Sequence, residues 1–259
     1  MKNSRQAVAA CAVVGTVCTI IGVYGCAGAP EGGKEGAMAT VGSGVAVPMI
    51  PASGETRRVG GDMGITVKEK NGNYTTRSSS ITTPLPVGYP APTPPGAIDV
   101  KSYPMVRRAE VDGVGNPDAG MNGTFWPLFN HIKKHEIAMT SPVEMDYPEG
   151  MGEWDDQSKW TMSFLYRERE MNGEGQEGDV RVRDAKPMTV IAIGVKGDYT
   201  TSRMKAAKAK LDAWLAERPE WRATGSTRVL HYNGPTLAFW NKWSEVQIPV
   251  EPAGAIKIP

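Results

Sequence analysis

Residues 125–143 read FWPLFNHIKKHEIAMTSPV. Phe125, Leu128, Phe129 and Ile132 recur at i, i+3, i+4 and i+7, the spacing of one face of an α-helix. A short basic turn, Lys133-Lys134, follows at once. Ile137-Ala138-Met139-Thr140-Ser141-Pro142-Val143 then reads as extended chain. A helix that passes into a strand with almost no loop packs back onto the sheet that the strand joins, so this stretch predicts mixed α and β structure in one layer pair.

Working outward, the same order of elements occurs twice. Ile98–Val111 reads as a strand, followed by the helix over Thr124–Lys134 and by strands over Ile137–Tyr147 and Trp160–Arg167. Trp160, Met162, Phe164 and Tyr166 alternate with Thr161, Ser163 and Leu165, the period of a strand. Pro187–Val195 reads as a buried strand and Thr201–Glu217 as a helix. Met204, Ala207, Leu211, Trp214 and Leu215 share one face of that helix, and Pro219 stops it. Thr227–Tyr232 and Glu245–Val250 close the pattern. The expected fold class is α+β: two β-α-β-β pseudo-repeats forming a twisted antiparallel sheet or distorted barrel of about eight strands, with two helices packed on it. The halves share little identity, so the repeat rests on element order.

The 259 residues carry 29 basic and 28 acidic side chains, a balance without the basic excess of a nucleic-acid binder. Lys2 and Arg5 precede an uncharged, mostly apolar run over Ala7–Tyr24 that ends at Gly25-Cys26, the pattern of a lipoprotein-type export signal, with an ordinary cleaved secretory signal or an uncleaved anchor as the alternatives. The expected organisation is a cleaved signal at 1–25, a flexible Gly/Pro-rich tether at 26–96, a folded domain at 97–252 and a tail at 253–259. Cys26 would carry the lipid, placing the protein in a bacterial cell envelope. Cys11 and Cys18 fall inside the signal. The mature chain then has no thiol for a catalytic nucleophile, an iron–sulfur cluster or a cysteine zinc site.

The helix and the Ala138-Met139-Thr140-Ser141-Pro142-Val143 segment resemble the signature of the SOUL heme-binding protein family. Asp99-Val100-Lys101-Ser102-Tyr103-Pro104 with Ala109-Glu110-Val111 resembles the family's opening strand. Ile193-Gly194-Val195-Lys196-Gly197 and His231-Tyr232-Asn233-Gly234-Pro235 are similar to later family segments. Lys242-Trp243-Ser244-Glu245-Val246 departs from the family pattern near the end. The resemblance spans about residues 98–251. It implies binding of heme or a related porphyrin on a shallow apolar surface beside the first helix.

On that resemblance Phe125, Leu128, Phe129, Ile132 and Met139 are the candidate apolar contacts. Lys133, Lys134 or Lys242 would meet the propionates, and His131 is a candidate axial ligand of the iron. Each apolar residue on the helix face has a competing role as core, and the Met139–Val143 segment a competing role in packing and turning. His131 and His135 lie four apart and also fit half of a zinc or copper site, with no third ligand at a recognisable spacing. His231 reads as structural. Asp155-Asp156 and Glu168, Glu170, Glu174 and Glu177 read as solvated loop charges, and no nucleophile elbow or phosphate loop is present. Two other classes remain open: an enzyme that removes metal from a tetrapyrrole or opens its ring, and an envelope scaffold that keeps the fold without the ligand. The partners expected are a tetrapyrrole and, through the anchor, a membrane, with no nucleic acid.

Overall fold

Two prolines set the strand order. The computed structural model describes residues 48–234 and 236–254. The chain runs β1 (Thr56–Gly61), β2 (Lys68–Lys70), β3 (Asn73–Thr75), β4 (Ser80–Ile81), β5 (Ala97–Tyr103), β6 (Val106–Val114), α1 (Pro117–Lys134), β7 (Val143–Tyr147), β8 (Lys159–Leu165), β9 (Gly175–Glu177), β10 (Val180–Ala185), β11 (Met188–Lys196), α2 (Thr201–Ala216), β12 (Trp221–Ala223), β13 (Thr227–His231) and β14 (Trp243–Pro252). The stretch that reads as one strand, Ile98–Val111, is divided at Pro104. Pro187 stands at the matching break between β10 and β11. Proline donates no N–H to a ladder, so the chain leaves the sheet there.

Each break moves the chain from one half to the other. The main sheet has the order β1-β5-β11-β14-β13-β7-β8-β6-β10-β9, with β12 also on β14. Within the halves the pairing is the same: β6 on β8 on β7, and β11 on β14 on β13. The two inner strands, β7 and β13, pair across the middle. β5 precedes β6 but pairs with β11, and β10 precedes β11 but pairs with β6. The unit is therefore β-β-α-β-β, used twice, with the leading strand exchanged. The sheet has eleven strands, not about eight, and it is antiparallel throughout and open, not a closed barrel.

Both helices pack on one face. Ile98, Val100, Val111, Met145, Met162, Ile191, Val229 and Val246 meet Leu128 and Ile132 of α1 and Met204 and Leu211 of α2 there. The other face is covered by the segment expected to be tether. From Thr56 on, that segment is ordered: β1 pairs with β5, β2–β4 form a small sheet, and Ile81, Leu85 and Tyr89 pack on Tyr103, Val190, Leu230 and Trp243. Few large apolar residues suffice because the sheet face beneath is largely polar. The strap, residues 79–95, provides hydrogen bonds as well as contact: Tyr89 donates to Glu144 at 2.9 Å, and the Thr93 N–H donates to Glu245 at 2.7 Å. The signal segment, Cys26 and the end of the tail lie outside the described residues. Among the described residues no helix is long and apolar enough to cross a membrane.

Candidate functional site

α1 begins earlier than its apolar period suggests. Asn116 caps it by accepting from the Asp118 N–H at 3.0 Å, and Pro117 occupies the first turn, where its missing N–H costs nothing. Asp118 also accepts from the backbone and hydroxyl of Thr201, at 2.9 and 2.8 Å, tying the starts of the two helices together. At the other end Glu136 takes a left-handed conformation (φ 55°), and the Ile137 N–H returns to the Ile132 carbonyl at 2.8 Å. This C-cap, with Ile132 and Ile137 both buried, turns the helix sharply toward the sheet.

The segment after it is a connector. β7 starts only at Val143, not at Ile137. The Thr140 hydroxyl donates to the Leu165 carbonyl, Ser141 N–H to the Pro84 carbonyl at 2.9 Å, and Ser141 hydroxyl to the Tyr232 carbonyl at 2.8 Å; the Ser141–Pro142 bond is cis. Thr140 and Ser141 thus join both halves and the strap, and Met139 alone of the motif's central residues is half-buried on the helix side.

The candidate residues of α1 divide by their angle around the helix. Leu128 and Ile132 face the sheet and are 0% and 4% exposed. They are core, each worth about 1.5–3 kcal/mol of burial, and offer no surface to a ligand. Phe125 and Phe129 lie on the flank toward β8 and are half-buried. Beside them stands Trp126, 58% exposed, which the apolar period passes over because it falls off the core stripe. The three rings form a near-equilateral triangle, with centroids 5.7 Å (Phe125–Trp126), 5.9 Å (Phe125–Phe129) and 5.8 Å (Trp126–Phe129) apart. The two phenylalanines are stacked and the indole stands perpendicular to both. Phe164 of β8 supports the group from below, 5.1 Å from Phe125. Lys133 follows Phe129 by one turn, is exposed, and makes no ion pair among the described residues.

His131 is elsewhere. At about 100° per residue it stands roughly 120° or more around the helix from Phe125, Trp126 and Phe129, on the flank toward β9 and β10. It is 5% exposed, its Nε2 meets the Tyr166 hydroxyl at 2.9 Å, and its Nδ1 lies 3.3 Å from Glu177. His131 therefore stands on the flank of α1 away from the aromatic ledge. Lys134 is bridged to Glu177. Lys242 belongs to the second half, its ammonium 4.7 Å from the centre of the Tyr199 ring. Of the three lysines, only Lys133 continues the ledge.

The tryptophans near the C-terminal end also divide. Trp221 and Trp243 are buried, whereas Phe239 and Trp240 are 57% and 58% exposed, edge to face at 4.8 Å. Their loop leaves the sheet beside Ser141–Val143, because His231 pairs with Val143 and the Tyr232 carbonyl holds Ser141. A separate depression of about 440 Å³ is formed by one loop, with Glu149, Trp154, Asp155, Ser158 and Lys159 among its walls.

The family profile described as SOUL heme-binding protein matches residues 89–249, well over half of the chain. The chain belongs to the SOUL heme-binding protein family. The family match begins at Tyr89, so it takes in the end of the strap and leaves Ile81, Leu85 and β1–β4 before it. No curated protein matches the chain. Among solved structures, the EcmrR C-terminal domain is similar at TM-score 0.50 and 16% identity, covering 60% of this chain and 98% of that one. EcmrR in its DNA complex is similar at TM-score 0.50 and 17% identity, over 60% of this chain; the likeness spans only 57% of that chain. At such identities these likenesses speak for the fold alone.

His231 of this SOUL domain has a structural role with a pH signature. It is buried, stacked on Tyr199 at 4.0 Å between centroids, with Nδ1 3.2 Å from the Ser244 hydroxyl. Burial, with Lys242 adding to it, pushes the imidazole down to about 3. The unfolded chain takes up a proton near pH 6.5 that the folded chain refuses until about 3. Stability is therefore full above about pH 6.5 and falls as pH drops through that window. About 2 kcal/mol is expected to be lost between pH 7.5 and pH 5 through this residue. Urea midpoints of the protein and of His231→Gln at both pH values check it: the variant should show a smaller fall, and equal falls would reject the assignment.

Proposed function

We propose that this SOUL protein is an exported, lipid-anchored carrier that captures heme or a related porphyrin reversibly on the outer flank of α1. The observation that carries the reading is Trp126, more than half exposed and held in a triangle with Phe125 and Phe129 over Phe164. An exposed, preorganised aromatic group offers the flat apolar surface that a macrocycle needs and costs little ordering on binding. Met139 and Val143 extend the apolar area toward the sheet, and Lys133 supplies a cation for a propionate. Phe125, Trp126 and Phe129 would stack against the macrocycle, and Lys133 would orient it through a carboxylate.

Titration with hemin tests this. A saturable Soret change is expected, weakened about tenfold in Trp126→Ala and again in Phe129→Ala, the loss of roughly 1.5 kcal/mol per ring. His131→Ala should leave the spectrum of the complex unchanged. No saturable change at micromolar hemin would reject the ledge as a tetrapyrrole site. The export part of the reading rests on Lys2, Arg5, the apolar run to Tyr24 and Cys26. Mass spectrometry of the mature protein decides it: an acylated Cys26 at the new N-terminus supports the anchor, and an unprocessed Met1 excludes it.

A further inference from the structure

The opposite flank of α1 carries a second cluster that the family reading does not use. His131 sits one turn before the helix end and His135 is the C-cap residue, its N–H bonded to the His131 carbonyl at 3.1 Å. The i, i+4 spacing puts both imidazoles on one side, with ring centroids 4.5 Å apart. The third member comes from strand β9: Glu177 Oε2 lies 2.8 Å from His135 Nε2 and 3.3 Å from His131 Nδ1. One ligand atom from each residue falls within 4.8 Å of the others.

We propose that His131, His135 and Glu177 form a binding site for a borderline divalent transition metal of the zinc type. Two donors on a tetrahedral zinc stand about 3.3 Å apart, so the cluster is already close to a three-ligand set and closes with small side-chain rotations. His131 Nδ1 is the second observation. It is buried, lies 3.3 Å from the carboxylate without the geometry of a hydrogen bond, and has no hydrogen-bond partner among the described residues, a state that costs free energy unless something occupies the position. The opposite nitrogen is held by the Tyr166 hydroxyl at 2.9 Å, the outer-shell contact that orients a metal-binding imidazole. Two imidazoles and one carboxylate suit zinc, copper(II) or nickel better than calcium or magnesium.

Binding would exchange the contact between His135 Nε2 and Glu177 Oε2 for bonds from both atoms to the metal. Lys134 is the competitor, since its ammonium meets the other oxygen of Glu177. His135 and Glu177 are exposed, which leaves a fourth position open to water or a small anion. A bound metal would also fasten the β9–β10 hairpin to the end of α1. None of this depends on the tetrapyrrole reading, because the ledge lies on the other flank.

Calorimetric titration of the chelator-treated protein with zinc chloride tests the proposal, together with the visible spectrum after adding cobalt(II). One zinc per chain is expected, with cobalt d–d bands. Glu177→Gln and His135→Ala, both at exposed positions, should weaken zinc binding at least tenfold while their metal-free melting stays near that of the parent. Lys134→Met should bind as tightly as the parent or more so. Absence of saturable binding overturns the proposal, and so does undiminished binding in both ligand variants. A loss confined to Lys134→Met would overturn it too, by making the carboxylate a partner of lysine alone.

Discussion

Lys101→Met is expected to destabilise the protein by about 3–5 kcal/mol, the usual cost of leaving one member of a buried ion pair without its partner. Lys101 and Glu245 are both fully buried, the ammonium 2.8 and 2.9 Å from the two carboxylate oxygens. Methionine matches the lysine in length, so the change removes charge more than volume. Three further donors converge on Glu245: the Tyr232 hydroxyl at 2.6 Å, the Thr93 N–H at 2.7 Å and the Gln247 amide at 2.7 Å. They would remain around a carboxylate whose countercharge has gone. Urea denaturation measures the effect. Replacing both residues, Lys101→Met with Glu245→Met, should not recover the loss, because the Tyr232 hydroxyl, the Thr93 N–H and the Gln247 amide would then lack their shared acceptor. A single variant as stable as the parent would mean that the pair is wetter than its burial implies.

Gly194→Ala is expected to cost about 3 kcal/mol or more, a large effect for one methyl group. A Cβ at position 194 would lie 2.1 Å from the Pro94 carbonyl oxygen and 2.4 Å from that of Thr93. Both are backbone atoms, which cannot rotate away as a side chain tip can. β11 or the strap must move, and overpacking of this kind costs about 1–3 kcal/mol by itself. The strap also carries bonds that would loosen with it. Thr93 donates to Glu245, its carbonyl accepts from the Trp243 indole at 2.7 Å, and the Gly96 N–H reaches the Gly194 carbonyl at 2.9 Å. Melting should fall by about 6–12 °C. Combined with Lys101→Met the losses should be less than additive, since both changes act on Glu245. A variant melting within a degree or two of the parent would show that the strap is not seated on β11.

A second buried polar cluster explains why this sheet face was hard to read. Glu144 lies buried among Arg108, Arg228 and Tyr89. Burial acts to raise its pKa, but the two guanidinium groups and the tyrosine hydroxyl outweigh that and hold it below the ordinary carboxylate range. In sequence, Arg108, Glu144, Arg228 and Glu245 look like surface residues on alternate strand positions. A polar core needs partners from distant strands, and the pairing of β7 with β13 and of β5 with β11 is what brings those partners together.

The aromatic ledge was half legible. Phe125 and Phe129 follow from the helical period, but so do Leu128 and Ile132, and only the rotation of α1 on the sheet separates surface from core. Trp126 lies off the period and shows itself only by its exposure. Glu177 reads as a loop charge until the β9–β10 hairpin lays it against two histidines more than forty residues earlier.

The amino-acid sequence alone determined the family, the two helices, the antiparallel class and the doubling of the element order. These rest on local period, on capping and breaking residues, and on short motifs, all of which act within a few neighbours along the chain. Tertiary structure decided the exchange of β5 and β10 between halves, the ordering of the strap, which aromatic rings face water and the meeting of His131 with Glu177. Those outcomes depend on contacts between segments far apart in sequence, where the favourable energy comes from burial and charge pairing and not from any residue's own preference.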